Sequence, residues 1–255
     1  MIREAGAAEW ERFVAHYSTL RGLVRDTLVA RQVQLHIAPA PARVVDVGGG
    51  AGHQAIRLAR DGYEVTLVDP SDQMLASTRD ALRAEAADIR ARVRLFKGRG
   101  DEAPALLGTG QFDAVLCHGV LMHLPDPGPM VTALAGLARR GAVVSLLAKN
   151  RDALAMRAAL EGRWQEALAA FGADYDVGGL GVPTRGDTLT RLWSLMRAAG
   201  IEPVAWYGVR VFTDHAGDRF PGADADEILS VEWEAGRRDP YRAVARLIHV
   251  IGTRT

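Results

Sequence analysis

The chain has only one cysteine, Cys117, which rules out an internal disulfide and a multi-cysteine metal site. Lysine is nearly missing: Lys97 and Lys149 are the only two, so almost all positive charge is arginine. Net charge is missing as well. Thirty-one Lys+Arg balance 31 Asp+Glu over 255 residues, which excludes a chain-wide basic field for non-specific nucleic-acid binding but leaves room for a local basic face. No run approaches the ~20 apolar residues of a membrane span. The first residues are charged from Arg3 onward and lack the apolar core of a secretory signal. These absences lead to the expectation of a cytoplasmic chain without a membrane partner. Apolar residues are plentiful at 48%, enough for one domain with a substantial core.

Periodicity divides the chain into four parts of that single domain. In residues 1–40, Trp10, Phe13, Val14, Tyr17, Leu20, Val24 and Leu28 recur at helical steps and predict a helical cover, closed by Pro39 and Pro41. Residues 41–150 alternate strand and helix. The strands are Arg43–Val47, Glu64–Asp69, Val93–Phe96, Phe112–Cys117 and Ala142–Leu147. Helices are expected at Ala51–Arg60, after a cap at Ser71 or Asp72 with Leu75, Leu82 and Ala86 inward, and at Ala133–Arg140. Near-continuous apolar strands between helices predict an α/β fold with a doubly wound, mostly parallel sheet. In residues 151–186, Met156, Leu160, Trp164, Leu168 and Phe171 predict one buried helical stripe, followed by a glycine-rich loop over Phe171–Gly186. This part reads as a substrate-side insertion. Residues 187–255 predict a helix at Asp187–Ala199 and strands at Glu202–Thr213 and Ala245–Gly252.

The strongest chemical signal is Val44-Val45-Asp46-Val47-Gly48-Gly49-Gly50-Ala51-Gly52, a strand running into glycines at 48, 50 and 52 and then a helix. The next strand ends in Asp69, which at the carboxyl edge of such a sheet can accept hydrogen bonds from two ribose hydroxyls. A dinucleotide loop needs G-x-G-x-x-G, but His53 takes the third glycine's place, and no G-K-[ST] follows for a P-loop. The spacing G-x-G-x-G resembles the S-adenosylmethionine loop of class I methyltransferases. Gly98-Arg99-Gly100-Asp101, the run Phe112–His118 with the mouth loop Val120–Pro127, and Leu137–Val143 extend that resemblance through residues 43–147.

The flanks narrow it. Tyr17, Arg21, Gly22 and Arg25 near one end, with Gly208–Phe212, Glu232, Arg237, Tyr241, Arg246 and Ile248–Val250 near the other, are similar to the bacterial tRNA 5-carboxymethoxyuridine methyltransferases. The resemblance implies a Rossmann-like seven-stranded sheet and S-adenosyl-L-methionine as cofactor. It further implies methylation of the terminal carboxylate of a tRNA wobble uridine. Cofactor contacts fall to Arg25, Gly48, Gly49, Asp69, Arg99, Gly100 and His118, and the cofactor-binding set also takes in Asp46, Gly50 and Gly52 of the loop and Asp101 near the adenine.

A carboxylate acceptor is ionised at pH 7 and needs no general base, only a cation to orient it. Arg210 is the first candidate for that cation and Arg246 the second, each weighed against a surface ion pair. A small-molecule O- or N-methyltransferase of the same fold is the alternative, motivated by the neutral charge and the acidic, glycine-rich 172–179 segment. His123, at the mouth, is then the candidate base for a phenol or amine. His53 is read as a packing or capping residue and Cys117 as core. Trp164, Trp193, Trp206 and Trp233 are also read as core. Arg237, Arg238, Arg242 and Arg246 are read as a solvated helix face.

Overall fold

The computed structural model describes residues 17–177 and 182–255. Trp10, Phe13 and Val14 of the expected first stripe lie outside the described residues, as do positions 178–181 of the glycine-rich stretch. Thr19 opens helix α1 (Leu20–Gln34) by accepting a hydrogen bond from the Gly22 amide at 3.2 Å. The helix is buried on two sides. Leu20, Val24 and Leu28 pack on Leu229 from near the other end of the chain, while Val29 and Val33 join Val44, Leu58 and Leu67 against the sheet.

Strand β1 (Arg43–Val47) leads into α2 (His53–Arg60), and β2 (Glu64–Asp69) into α3 (Asp72–Arg83). Ser71 caps α3 as expected, its hydroxyl accepting from the Met74 amide at 3.3 Å, but Ala86 lies exposed beyond the helix rather than on its inner side. The alternation continues through α4 (Ala87–Ala91), β3 (Val93–Lys97), α5 (Ala103–Leu107) and β4 (Phe112–His118). Next come α6 (Gly128–Leu137) and β5 (Ala138–Asn150).

The helix expected at Ala133–Arg140 therefore ends early. Ala138 pairs with Phe112 and Arg139 forms an ion pair with Asp113, so the strand begins where residue propensities favoured helix. The chain then bulges, and regular pairing resumes with Ala114 opposite Val143.

Residues 151–186 depart furthest from expectation. The single stripe is two short helices, α7 (Leu154–Leu160) and α8 (Trp164–Ala170), parted at Gly162, whose φ of +75° a helix cannot contain. Leu160, Trp164, Leu168 and Phe171 are exposed rather than buried. The expected loop contains a hairpin, β6 (Tyr175–Val177) with β7 (Pro183–Asp187), and β7 also pairs in parallel with the last two residues of β5.

Thr188 caps α9 (Leu189–Ala198), and β8 (Ile201–Val209) stops four residues short of its expected Thr213 end. Helix α10 (Ala225–Ala235), which supplies Leu229, was not anticipated; β9 (Leu247–Arg254) closes the fold. The main sheet has the order β3-β2-β1-β4-β5-β9-β8, with β9 alone reversed, antiparallel to both β5 and β8. This is the doubly wound, mostly parallel, seven-stranded arrangement. Strand order reverses between β1 and β4, so their carboxyl ends open a crevice where ligands bind in such sheets. No described helix is long and apolar enough to cross a membrane.

Candidate functional site

Two neighbouring sites stand at the carboxyl edge of the sheet. The first grows from the turn after β1. The Gly48 amide donates to Val68 O at 2.7 Å, tying the turn to β2. A Cβ on Gly48, at φ +72°, would lie 2.3 Å from Val120, and one on Gly49 would meet Asp46 Oδ2 at 2.8 Å. Only glycines leave this turn open to a ligand. Asp69, at the end of β2, organises it from the other side: one carboxylate oxygen accepts from the Gly50 amide at 3.0 Å and the other from Ser71 at 2.9 Å. Gly52, also left-handed at φ +81°, precedes α2.

Arg25 reaches over this turn from α1. It donates to Asp26 at 2.8 Å and to the His118 carbonyl at 3.2 Å. Tyr17, Arg25, Asp46, Gly48, Gly49 and His118 line one cleft, with Asp26 and His53 at its side. Burial pushes the Asp46 carboxyl up to about 7, opposed by Arg25 and helped by Asp69 and Asp26. Burial also raises Asp69, against the two amide hydrogen bonds. His53 packs edge-on against the Tyr17 ring, at 4.0 Å between centroids, and faces Asp26 at 3.3 Å. Cys117 is fully buried core.

Arg99 and Asp101 stand apart from the cleft lining. They pair with each other at 2.8 and 3.0 Å beyond the end of β3, and Arg99 is half exposed. Gly100 between them is buried, with no room for a Cβ against Val47 and Met130. The sequence therefore brings together Arg25, Asp46, Gly48, Gly49, Gly50, Gly52, Asp69 and His118, and leaves Arg99, Gly100 and Asp101 one strand further along.

The second site is a cluster of cations. Asp214 receives Arg157 at 2.7 and 3.0 Å, Arg210 at 2.8 Å and Arg246 at 3.6 Å. Asp176, on β6, receives Lys149 at 3.1 Å and Arg246. Arg21, one turn before Arg25 on α1, reaches the Asp214 carbonyl and the exposed Asp218. Among the described residues, five cations thus pair directly with three carboxylates, a fourth, Glu161, acting on Arg157 from further away, and Arg21, Lys149, Arg210 and Arg246 are all at least nine-tenths buried. Burial lowers Arg210 to about 10, with Arg157, Arg246 and Arg21 adding to the effect against Asp214. Burial and Arg246 bring Lys149 down to about 8, against Asp176. Burial would raise Asp214, but Arg210 and Arg157 hold it well below the usual carboxylate range. The Nε atoms of Arg21 and Arg210 are buried without a partner.

Arg210 is held in a left-handed conformation, φ +61°, rare for a side chain of its size. The buried Glu232 of α10 explains how. Its carboxylate accepts from the Val211, Phe212 and Thr213 amides at 2.8–2.9 Å and from the Thr213 hydroxyl at 2.7 Å, fixing the turn that follows. Arg246, expected on a solvated helix face, is 4% exposed because its amide donates to Arg210 O and its side chain turns into the cluster. Arg237 and Arg238 do lie towards solvent beyond the end of α10, paired with Glu234, whereas Arg242 pairs with Asp239 but is mostly covered, lying 4.0 Å over the Trp206 ring and donating to Trp206 O at 3.1 Å. His123 reaches the surface at the mouth. Desolvation of its packed side and the Lys149 charge lower its pKa. Trp164 is 69% exposed, not core; Trp193, Trp206 and Trp233 are partly buried.

Sequence reasoning missed Arg157, Asp176, Asp214 and Arg185. Arg185 is buried on β7, donates to the Leu121 and Pro125 carbonyls at 3.3 and 2.8 Å, and pairs with Asp187 at 3.0 Å. It pins the mouth loop. Isolated charges carry no local signature, and Pro183-Thr184-Arg185-Gly186-Asp187 has no apolar alternation that could have marked it as a strand.

A methyltransferase domain family matches residues 45–144. The chain is 29% identical, over 92% of its length and 89% of the relative's, to the tRNA 5-carboxymethoxyuridine methyltransferase of Escherichia coli. It is 32% identical, over 56% of its length and 54% of the relative's, to a ubiquinone biosynthesis O-methyltransferase of Xanthomonas axonopodis. The fold superposes on magnesium protoporphyrin IX methyltransferase from Synechocystis, solved with bound S-adenosylhomocysteine, at a TM-score of 0.65 and 14% identity, covering 98% and 95% of the two chains. The cleft's chemistry fits S-adenosylmethionine: three carboxylates suit a ligand with a sulfonium and an ammonium, one arginine suits its single carboxylate, and the bare glycine turn admits close approach. The chain is an S-adenosylmethionine-dependent methyltransferase with the class I fold.

Proposed function

We propose that this enzyme methylates a carboxylate, and that its acceptor is 5-carboxymethoxyuridine in tRNA. The observation that carries this reading is the surplus, among the described residues, of buried cations over directly paired carboxylates beside the donor cleft. Desolvated positive charge without a matching anion is costly, and an incoming carboxylate supplies the missing partner. The name of the E. coli relative, matched along nearly the whole chain, supplies the particular acceptor.

In this reading Asp69 receives the ribose hydroxyls with the lone pairs its two amide bonds leave free. Gly48 to Gly52 offer open backbone, and Arg25 takes the donor's carboxylate. Gly100 and the Arg99–Asp101 pair flank the adenine end. When bound, S-adenosylmethionine supplies an electrophilic methyl group on a sulfonium. Arg210, with Arg246 and Lys149, orients the acceptor oxygen in line with that carbon, where alignment contributes most of the rate. These three cations would hold the ionised acceptor oxygen facing the donor cleft without protonating it. No proton moves, so no base is required.

A second reading draws on His123. Its lowered pKa leaves a neutral imidazole at pH 7 that could deprotonate a phenol or amine. Nucleoside mass spectrometry of tRNA from a deletion strain separates the two. Accumulation of 5-carboxymethoxyuridine at the expense of its methyl ester is expected; an unchanged profile overturns the tRNA reading.

A further inference from the structure

A line of buried polar groups crosses the sheet behind the donor cleft. His118 Nε2 lies 2.8 Å from Ser145 Oγ, which lies 2.6 Å from His249 Nε2; His249 Nδ1 lies 2.6 Å from Gln32 Oε1. Gln32, Ser145 and His249 are wholly inaccessible to solvent, and His118 is 9% exposed. Such a chain in an apolar sheet is tolerated only when its members satisfy one another. Here every link is made except the two ends, Gln32 Nε2 and His118 Nδ1.

Donor and acceptor counting fixes the protons. The Gln32 oxygen can only accept, so His249 carries its proton on Nδ1. Burial holds His249 near 3 and His118 well below its ordinary value, so both rings are neutral with one N–H each. His249 Nε2 must then accept, and the Ser145 hydroxyl donates to it. The remaining Ser145 lone pair accepts from His118 Nε2–H. His118 Nδ1 is left as a bare acceptor, buried and without a partner, on a residue that lines the cleft.

We propose that Gln32, Ser145 and His249 are positioning residues which hold His118 in its Nε2–H tautomer, so that Nδ1 receives a hydrogen bond from the α-ammonium group of the methyl donor. Arg25, in the same cleft, offers only donors and suits the α-carboxylate; His118 supplies the complementary acceptor. Helix α1 thereby reads the amino-acid end of the donor twice, directly through Arg25 and across the sheet through Gln32. The relay selects for an intact amino-acid end.

Long-range proton–nitrogen NMR on the 15N-labelled full chain tests the tautomer. His118 should show a protonated Nε2 and a bare Nδ1, whose resonance moves when S-adenosylhomocysteine is added. In Ser145→Ala and in Gln32→Met, the fixed tautomer should be lost. Affinity for S-adenosylhomocysteine should then fall about tenfold, while affinity for 5′-methylthioadenosine, which lacks the amino-acid end, stays within about twofold. Two variants on different elements guard against a folding defect in either. A protonated Nδ1 in the unaltered protein overturns the proposal. So does a parallel loss of both affinities, or an unchanged S-adenosylhomocysteine affinity in two folded variants. None of these outcomes bears on the acceptor.

Discussion

The donor cleft and the acceptor cluster are neighbours of opposite character. The cleft gathers three carboxylates around one arginine, and half of its lining residues belong to one continuous turn, residues 46–53, with one further acid a strand away. The cluster gathers five cations around three carboxylates, from positions scattered between 21 and 246. Each surplus fits the ligand proposed for it: a cationic donor on one side, an anionic acceptor on the other. Side by side, the two fields would orient the proposed reactants towards each other before any bond changes.

The largest test of that division is Asp69→Ala. It removes the ribose acceptor and both bonds that shape the glycine turn, so donor affinity measured by calorimetry should fall by about 100-fold or more. A loss smaller than fivefold would place the donor elsewhere. Arg210→Gly is the matching change on the other side, and glycine accepts the left-handed backbone without strain. Acceptor kcat/KM should drop by about 50-fold while donor affinity holds within about twofold. Equal losses in both would show that Arg210 belongs to the donor cleft.

The two sites should also respond to pH with opposite slopes. Asp46, near 7, is increasingly protonated below that pH and loses its attraction for a cationic donor, so donor affinity should rise by a few fold from pH 6 to 8. Asp46→Asn should flatten that rise. Lys149, near 8, loses its proton above that pH, so affinity for an anionic acceptor should fall from pH 7 to 9. Slopes of the same sign would break the comparison. The smallest effect is expected from Trp164→Ser. Trp164 is mostly exposed, so stability in urea should change by less than about 0.5 kcal/mol. Leu192→Ala, in the core, should cost about 2–5 kcal/mol.

The same division governs how much could be read in advance. Val47, Asp69 and Cys117 were placed at or within one residue of strand ends, because an apolar run meeting a turn is a local signal. That localised the donor cleft. Where tertiary pairing overrode local preference, the reading failed: Ala138 and Arg139 have helical propensity but join β5, held by Phe112 and Asp113. Helical spacing from Met156 to Phe171 implied a buried face, yet spacing says nothing of which side has a neighbour. The acceptor cluster was hardest. Arg210 was identified as a candidate, but its partners Asp214 and Arg157, and the turn that Glu232 fixes, depend on contacts between distant segments. Arg246 looked like a surface charge for the same reason.

The central claim, a cationic donor and a carboxylate acceptor meeting at this sheet edge, is tested most directly by one labelling reaction. Purified protein is incubated with methyl-labelled S-adenosylmethionine and tRNA bearing 5-carboxymethoxyuridine, and the label on RNA is measured before and after mild alkali. Label that enters the tRNA and is released by alkali, as a methyl ester must be, is the expected result. Alkali-stable label on the RNA, or label found only on small metabolites, would contradict it.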